Sequence, residues 1–348
     1  MSFTISGLLT VFGIFGLTAT VIFAVLLLAI YRILPSRNPL HFKGKHAFIT
    51  GGSKGIGKQL ALGLVRRGCS VSIAARDKDL LISTCAELNT FAKSAGTEAI
   101  ARWYQLDVTE SFEKVESVIL NAEKEGGPID ILINNAGTCV QGAFDELPSQ
   151  AFGDQLLLNC LSAVKTTRAV VNRMKRERRG HLGFVCSAAG QFAMFGYSAY
   201  SMSKFALRGF AESLRMELLP YNVDVSILFP PNTSTDGYQV ELQTMPEEVK
   251  EIGGAAGLFT PQHVAECYLN DIAAGNIATS IGLESHMLTA LASCTSMENK
   301  FAAVLFQVLF LGVFRCAILF YICYFNRIVN KCRIKRELAN RSCAKCES

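Results

Sequence analysis

Thr50-Gly51-Gly52-Ser53-Lys54-Gly55-Ile56-Gly57 sits between the apolar run Lys45–Ile49 and a stretch with helical patterning that begins at Gly55. A strand enters this segment and a helix leaves it. Glycines in such a place permit a tight turn and let backbone N–H groups at a helix N-terminus approach a pyrophosphate. Many tight turns carry a glycine cluster, so it is the seat between strand and helix that makes this a nucleotide loop. Outward from it, short β-branched runs alternate with helical stretches. Strands are expected at Lys45–Thr50, Ser70–Ala75, Ala99–Leu106, Ile129–Ile133, His181–Val185 and Val223–Leu228. Helices are expected at Gly55–Arg67, Lys78–Ala95, Ser111–Glu125, Ser149–Arg176 and Tyr200–Leu218. That alternation implies βαβ units and a parallel sheet. Right-handed crossovers then give an α/β, Rossmann-like, doubly wound sheet with its ligand crevice at the C-terminal ends of the strands.

Within the loop the spacing is G-x-x-x-G-x-G, which resembles the short-chain dehydrogenase/reductase superfamily and not the G-x-G-x-x-G of other dinucleotide folds. Tyr200-Ser201-Met202-Ser203-Lys204 is Y-x-x-x-K at a helix start. Residues four apart share a helix face, so phenol and ammonium point into one crevice. The ammonium is expected to lower the phenol pKa, and the phenol to pass a proton to a developing alkoxide. Ser187 follows the fifth strand, where its hydroxyl can hydrogen-bond a substrate oxygen. Cys186 beside it reads as core packing, because no histidine base is near in sequence. The resemblance implies three further roles. Asp107 and Val108 would hold the adenine. Asn135, within Asn134-Asn135-Ala136-Gly137, would stand beside the cofactor. Asn159 would be a fourth catalytic member, linking Lys204 to solvent. The expected catalytic set is therefore Asn159, Ser187, Tyr200 and Lys204. The expected cofactor set is Gly51, Ser53, Lys54, Gly55, Ile56, Gly57, Arg76, Asp107, Val108, Asn135, Tyr200 and Lys204.

The choice of nicotinamide cofactor turns on the adenosine 2′ position. An acid at the end of the second strand favours a free hydroxyl, and a basic residue favours a phosphate. Here the strand ends Ala74-Ala75-Arg76, and Lys54 adds a second positive charge. Arg can grip phosphate bidentately, so NADPH is expected. Asp77, directly after Arg76, is the one residue that pulls against this reading.

Of the 348 residues, half are hydrophobic and only 18% are charged, an apolar balance for a soluble enzyme. Much of the excess lies at the two ends. Ile5–Tyr31 has no charged residue and is long enough to cross a bilayer, which takes roughly 20 apolar residues. Met1–Thr4 carries no basic side chain, so a retained anchor is expected and not a cleaved signal peptide. Lys and Arg follow this run, which places the main domain in the cytosol. The second apolar stretch, Phe301–Phe325, contains Arg315 and ends in Arg327, Lys331, Arg333, Lys335 and Arg336. A hairpin starting near His286–Ala292, with Arg315 snorkelling or at a turn, or an in-plane helix, would keep both flanks cytosolic. The alternative is a soluble C-terminal helix against a dimer partner. The net charge of +5 arises mainly from these flanks, which reads as basic residues beside anionic lipid and not as a nucleic-acid surface. The twelve cysteines are scattered through expected core elements, in keeping with a reduced compartment. Cys343-Ala344-Lys345-Cys346 is a lone C-x-x-C without the second pair that zinc needs, and no metal site is expected. The expected division is a membrane anchor at 1–40, a catalytic domain at 41–285 and a membrane-associated segment at 286–348.

A narrower resemblance, to the 3-ketodihydrosphingosine reductases, covers nearly the whole chain. It rests on Phe184–Ser187, Gly190-Gln191 with Phe195-Gly196, Ala199–Gly209, Pro220–Val223 and Phe229–Pro231. It extends to Leu311–Arg315 and Ile318–Tyr321 in the C-terminal apolar part. The resemblance implies reduction of 3-ketosphinganine to sphinganine, with membrane lipids as surroundings, on the cytosolic face of the endoplasmic reticulum. Homo-oligomers enter only by analogy with the superfamily. Two positions depart from the family pattern: Cys186 stands for a Ser, and Asp236 stands where a Pro tends to follow the Thr. The segment Asp236–Leu258 is expected to form a lid. Other membrane reductases, of steroids, retinoids or 3-ketoacyl thioesters, would share the same core motifs. From another class, a scaffold that binds NADPH without turnover would not need Tyr200 and Lys204 together. Asn232-Thr233-Ser234 and Asn340-Arg341-Ser342 fit the glycosylation sequon. With a cytosolic domain, endoglycosidase treatment of the protein from cells is expected to give no gel shift. A shift abolished by Asn232→Gln would reverse the orientation.

Overall fold

The computed structural model describes residues 5–33, 39–254, 257–293 and 300–346. In chain order the elements begin with α1 (Ile5–Ile33), β1 (His46–Thr50), α2 (Gly55–Arg66), β2 (Ser70–Ala75), α3 (Lys78–Ser94), β3 (Ala101–Gln105), α4 (Phe112–Gly126) and β4 (Ile131–Asn134). Next come α5 (Ser149–Leu156), a π-helical turn (Leu157–Leu161), α6 (Ser162–Glu177), β5 (Gly180–Val185), α7 (Ser198–Leu218) and β6 (Val223–Phe229). The chain ends with α8 (Asp236–Thr244), α9 (Glu247–Gly253), α10 (Pro261–Ala273), β7 (Ala278–Ser280), α11 (Leu283–Ala292) and α12 (Phe301–Cys346).

The seven strands form one sheet in the order β3-β2-β1-β4-β5-β6-β7, with every pairing parallel. β1 and β4 are buried along their whole length, as strands covered on both faces by helices must be. Side chains alternate between the faces. Ala47 and Ile49 join Leu60, Leu64, Ile73 and Leu269 on one side, while Phe48 joins Leu132, Ile119, Phe184 and Leu207 on the other. The strand order reverses between β1 and β4, so the crevice opens where Thr50 and Asn134 end their strands.

Two expectations change within this domain. Val223–Leu228 does not close the sheet, because β7 adds a three-residue strand beyond it, too short to carry a periodic signal. α10 was also not anticipated, although Thr260-Pro261 is a readable helix start. Thr260 Oγ1 accepts the His263 N–H at 3.2 Å and Pro261 takes the first helical position.

The C-terminal part departs furthest from expectation. α12 runs unbroken through Arg315, so the chain makes no turn there. Its side chains at Phe314, Ile318, Ile328 and Cys332 are buried and Tyr321 and Phe325 are half-buried. These six are spaced alternately by four and three residues, one stripe of a helix packed as in a coiled coil. The stripe lies on the catalytic domain: Phe325, Ile328 and Cys332 pack with Ile252 of α9 and with Met194. The opposite face presents Val313 (64% exposed), Phe320 (78%) and Tyr324 to the surroundings. The basic tail of α12 is engaged, at least in part, by protein. Lys331 pairs with Glu251 at 3.0 Å, Lys335 with Glu247 at 2.5 Å and Arg336 with Glu248 at 2.6 Å, all on α9. These three basic residues therefore do not serve simply as a lipid-facing flank. α11 crosses the expected junction at residue 285 and packs on the catalytic domain, with Gln191 Nε2 donating to Thr289 Oγ1 at 2.8 Å. α1 and α12 are both long and apolar enough to cross a membrane, and Tyr31 meets Phe301 edge-on at 5.4 Å. The side chains of Asn340, Cys343 and Cys346 lie outside the described residues.

Glu248 has no exposed surface, while Arg336 is half-exposed. Arg336→Ala should cost about 1–2 kcal/mol, less than removing one partner of a fully enclosed pair because water reaches the arginine. Lys331→Ala, whose partner Glu251 is partly exposed, should cost less. Denaturant unfolding in detergent checks that order, and the reverse order would count against Glu248 as the anchoring contact.

Candidate active site

The loop after β1 is shaped by close backbone approach. A Cβ on Gly57 would lie 2.2 Å from the Gly51 carbonyl oxygen, so only glycine lets α2 start beneath the turn. Lys54 precedes the helix in extended conformation, and the first turn of α2 contains no acidic residue. The N-terminal N–H groups of α2 thus offer a positive end to a phosphate. Gly51, Ser53, Lys54, Gly55 and Ile56 line the main cavity, while Gly57 is buried behind them. Asn135 laces the loop to the end of β4. Its Nδ2 donates to the Thr50 and Gly51 carbonyls at 2.9 and 3.1 Å, and Thr50 Oγ1 accepts the N–H groups of Asn135 and Ala136, both at 3.0 Å.

Arg76 and Asp77 stand at the cavity rim, and the structure separates their roles. Asp77 is the N-cap of α3 and its Oδ1 accepts the Leu80 N–H at 3.0 Å. That contact turns the carboxylate toward its own helix, while Arg76 stands exposed beyond the strand end. Asp107 and Val108 line the same region. Burial raises the Asp107 carboxyl, but hydrogen bonds from the Thr109 hydroxyl and N–H, with the charges of Arg76 and Lys165, outweigh it and hold the pKa below its ordinary value.

Ser187 follows β5 directly, and its Oγ accepts the Ala189 N–H at 3.1 Å, which caps a short 3-10 turn. Tyr200 and Lys204 project from the first turns of α7 into the same cavity. The Lys204 Nζ donates to the Val185 carbonyl at 3.1 Å and lies 5.7 Å from the centre of the Tyr200 ring. The lowered phenol expected from this pair is not what the structure gives. Burial pushes the Tyr200 phenol well above its ordinary value, and a hydrogen bond with Ser187 only partly opposes it. Burial likewise pulls the Lys204 ammonium down. Neighbouring charge was legible as a spacing; desolvation, the larger effect, depends on walls built from distant segments.

Asn159 falls in the π-helical turn that interrupts the helix expected over Ser149–Arg176. Such turns are frequent at functional sites. This one aims a buried amide at the end of β4. Asn159 Nδ2 donates to the Thr138 carbonyl and to Ser203 Oγ, both at 2.9 Å, and Oδ1 accepts the Thr138 N–H at 2.9 Å. Ser203 in turn donates to the Tyr200 carbonyl at 2.7 Å. Asn159 therefore stands behind the cavity wall, bracing the loop after β4 against α7. A Cβ on Gly137 would meet Asn159 Oδ1 at 2.9 Å and Lys204 Nζ at 3.4 Å, so both side chains press on one glycine. Ser203 was not singled out from sequence, though its place within Y-x-x-x-K was visible. Cys186 is core, as expected: its thiol donates to the Lys204 carbonyl at 3.3 Å and burial pushes it up to about 11.

The loop residues, Arg76, Asp107, Val108, Asn135, Ser187, Tyr200 and Lys204 line a cavity of about 810 Å³. Its outer part is made by residues that sequence reasoning did not assign to the site. Phe192, Met194 and Tyr197 come from the loop before α7, Tyr238 and Glu241 from α8, and Ile318, Tyr321 and Phe325 from α12. The segment expected to form a lid folds into two helices, α8 and α9, that line the cavity. Thr235 Oγ1 caps α8 by accepting the Tyr238 N–H at 3.1 Å. Asp236 occupies the first turn, where an acid is favourable, so its departure from the family pattern does not disturb the helix. Asn232 is held in the cavity roof, its Nδ2 donating to the Gly253 carbonyl at 3.0 Å.

A profile described as short chain dehydrogenase matches residues 45–245. A Danio rerio protein named 3-dehydrosphinganine reductase is 40% identical, over 92% of this chain and 96% of its own. A Bos taurus protein named 3-ketodihydrosphingosine reductase is 38% identical over 91% and 95%. Among solved structures, an alcohol dehydrogenase from the archaeon Thermococcus sibiricus, complexed with 5-hydroxy-NADP, superposes with a TM-score of 0.56 at 25% identity. It covers 65% of this chain and 89% of that one. A nicotinamide cofactor fits the loop, the free helix end and the strand ends described above. The chain therefore belongs to the short-chain dehydrogenase family and, within it, to the 3-ketodihydrosphingosine reductases.

Proposed function

We propose that the chain uses NADPH to reduce 3-ketosphinganine to sphinganine at the endoplasmic reticulum membrane, with its catalytic domain on the cytosolic side. The observation that carries this reading is the composition of one cavity. The nucleotide loop forms one wall, Ser187, Tyr200 and Lys204 form a second, and the apolar helix α12 forms a third. A headgroup ketone would sit at the second wall, and the aliphatic chain would run outward between Phe192, Met194, Ile252, Ile318, Tyr321 and Phe325. In this reading residues 1–40 anchor the chain and 41–285 carry the chemistry. Residues 286–348 contribute a docking helix whose outer apolar face meets lipid.

The bound nicotinamide supplies the hydride. The chain's own residues hold the carbonyl and manage the proton. Ser187 Oγ and the Tyr200 hydroxyl donate hydrogen bonds to the carbonyl oxygen, and Tyr200 gives up its proton as charge develops there. A phenol whose pKa burial has raised is fully protonated at neutral pH, the state a reductase requires of its donor. Once the proton has left, a phenolate with a raised pKa faces a buried ammonium with a lowered one. Lys204, 5.7 Å from the centre of the Tyr200 ring, sets a positive charge beside the phenolate that forms. Asn159 and Ser203 act on the geometry by fixing the helix turn that carries both groups.

NADPH over NADH is supported by the Asp77 cap, which leaves Arg76 to meet the 2′ position. Tyr200→Phe should reduce turnover by roughly 10²–10⁴-fold, while NADPH still binds in a fluorescence titration. Retained turnover would remove Tyr200 as the donor. Arg76→Ala should raise the KM for NADPH roughly tenfold more than that for NADH. Equal effects on the two cofactors would remove the phosphate role.

A further inference from the structure

Glu241 is an acid facing a largely apolar cavity, and the reduction chemistry gives it no task. It projects from α8 into the space that Tyr197, Tyr200 and Tyr238 also line. Among the described residues its carboxylate forms no ion pair, and its one side-chain hydrogen bond comes from Gln141 Nε2 at 3.3 Å. Gln141 is itself buried, and its Oε1 has no hydrogen-bond partner among the described residues. The Glu241 carboxylate thus faces the cavity that Tyr200 also lines with one long hydrogen bond, and Gln141, outside the lining, leaves its amide oxygen unpaired among the described residues. A carboxylate drawn partly out of water with so little to accept from is costly unless a donor meets it. A complementary ligand would be a cationic donor with several N–H groups, such as a primary ammonium.

We propose that Glu241, backed by Gln141, is the subsite that binds the ammonium of an amino ketone and selects it over ketones that lack the amine. The inference rests on the substrate reading above, in which the amine sits on the carbon next to the reacting carbonyl. A group that recognises it must therefore stand close to Tyr200, as Glu241 does. Its charge reaches Tyr200, Tyr197, Tyr238, Cys139 and Lys204 alike. It also answers an electrostatic problem: an ammonium brought toward Lys204 is repelled by it, and the Glu241 carboxylate lining the same cavity offsets that repulsion. Burial pushes the Glu241 carboxyl up to about 7, with the Gln141 hydrogen bond and the Lys204 charge pulling the other way. An arriving ammonium favours its ionised form.

The test compares wild type and Glu241→Gln on 3-ketosphinganine and on 1-hydroxyoctadecan-3-one, the same chain with hydrogen in place of the amine. The ratio of kcat/KM between the two ketones should fall roughly tenfold or more in the variant, the loss of one charge-assisted contact. Glu241→Asp should restore part of it. A ratio that stays within about twofold in the Gln variant overturns the subsite. Product inhibition of the wild type adds an arm that does not depend on the variant folding. Sphinganine should inhibit roughly tenfold more tightly than octadecane-1,3-diol, and equal inhibition also overturns the subsite. A failure of the substrate reading itself looks different, because wild type would then not turn over 3-ketosphinganine at all.

Discussion

The site depends on keeping water away from Tyr200 and Lys204. Lys204 donates to the Val185 carbonyl at the end of β5, and burial around it pulls its ammonium down. Burying an ammonium is expensive. The two ends of the contact belong to β5, an interior strand between β4 and β6, and to α7, whose Phe210 meets Phe184 of β5 edge-on. The desolvation that makes the pair costly also raises the phenol and lowers the ammonium. A looser cavity would hydrate both groups and return both pKa values toward ordinary ones.

That wall is assembled from parts far apart in sequence. Asn159 reaches it only because five residues of its helix adopt π geometry, and its amide then ties Thr138 to Ser203. The far side is closed by α12, held to α9 by Arg336 on Glu248 and by the Ile252, Ile328 and Cys332 contacts. Charge and apolar stripe act in series. The ion pairs fix the register of the long helix at its basic end, and the stripe carries that register back to Ile318, Tyr321 and Phe325 at the cavity.

How much of this the sequence displays follows from the range of the signal. The glycine loop, Y-x-x-x-K and the alternation of strands and helices are local spacings, and the fold they predict is the fold observed. β7 escaped because three residues make no pattern. The docking stripe of α12 was hidden for another reason. Its outer face is as apolar as its inner one, so the period that would mark one buried face is lost in uniform hydrophobicity. Asp77 looked like a rival to Arg76 until its cap was visible. Glu241 lies in a polar nine-residue helix where an acid attracts no notice, and its position against Gln141, one hundred residues away, exists only once the chain is folded.

The same helix bears on how the cavity opens. α8 has no buried residue of its own. A helix this short is unstable alone, and without an apolar face it must be held by polar contacts and by its ends. Its holds are the Thr235 cap at one end and the Glu241–Gln141 contact in the middle. α9, by contrast, buries Glu248, Val249 and Ile252 and is clamped by α12. The lid is therefore two parts of unequal stability, a fixed α9 and a weakly held α8. Local opening concentrates where apolar burial is least. A ligand that adds a strong contact to Glu241 stabilises the one element that has little else to stabilise it, so binding and closure draw on the same side chain.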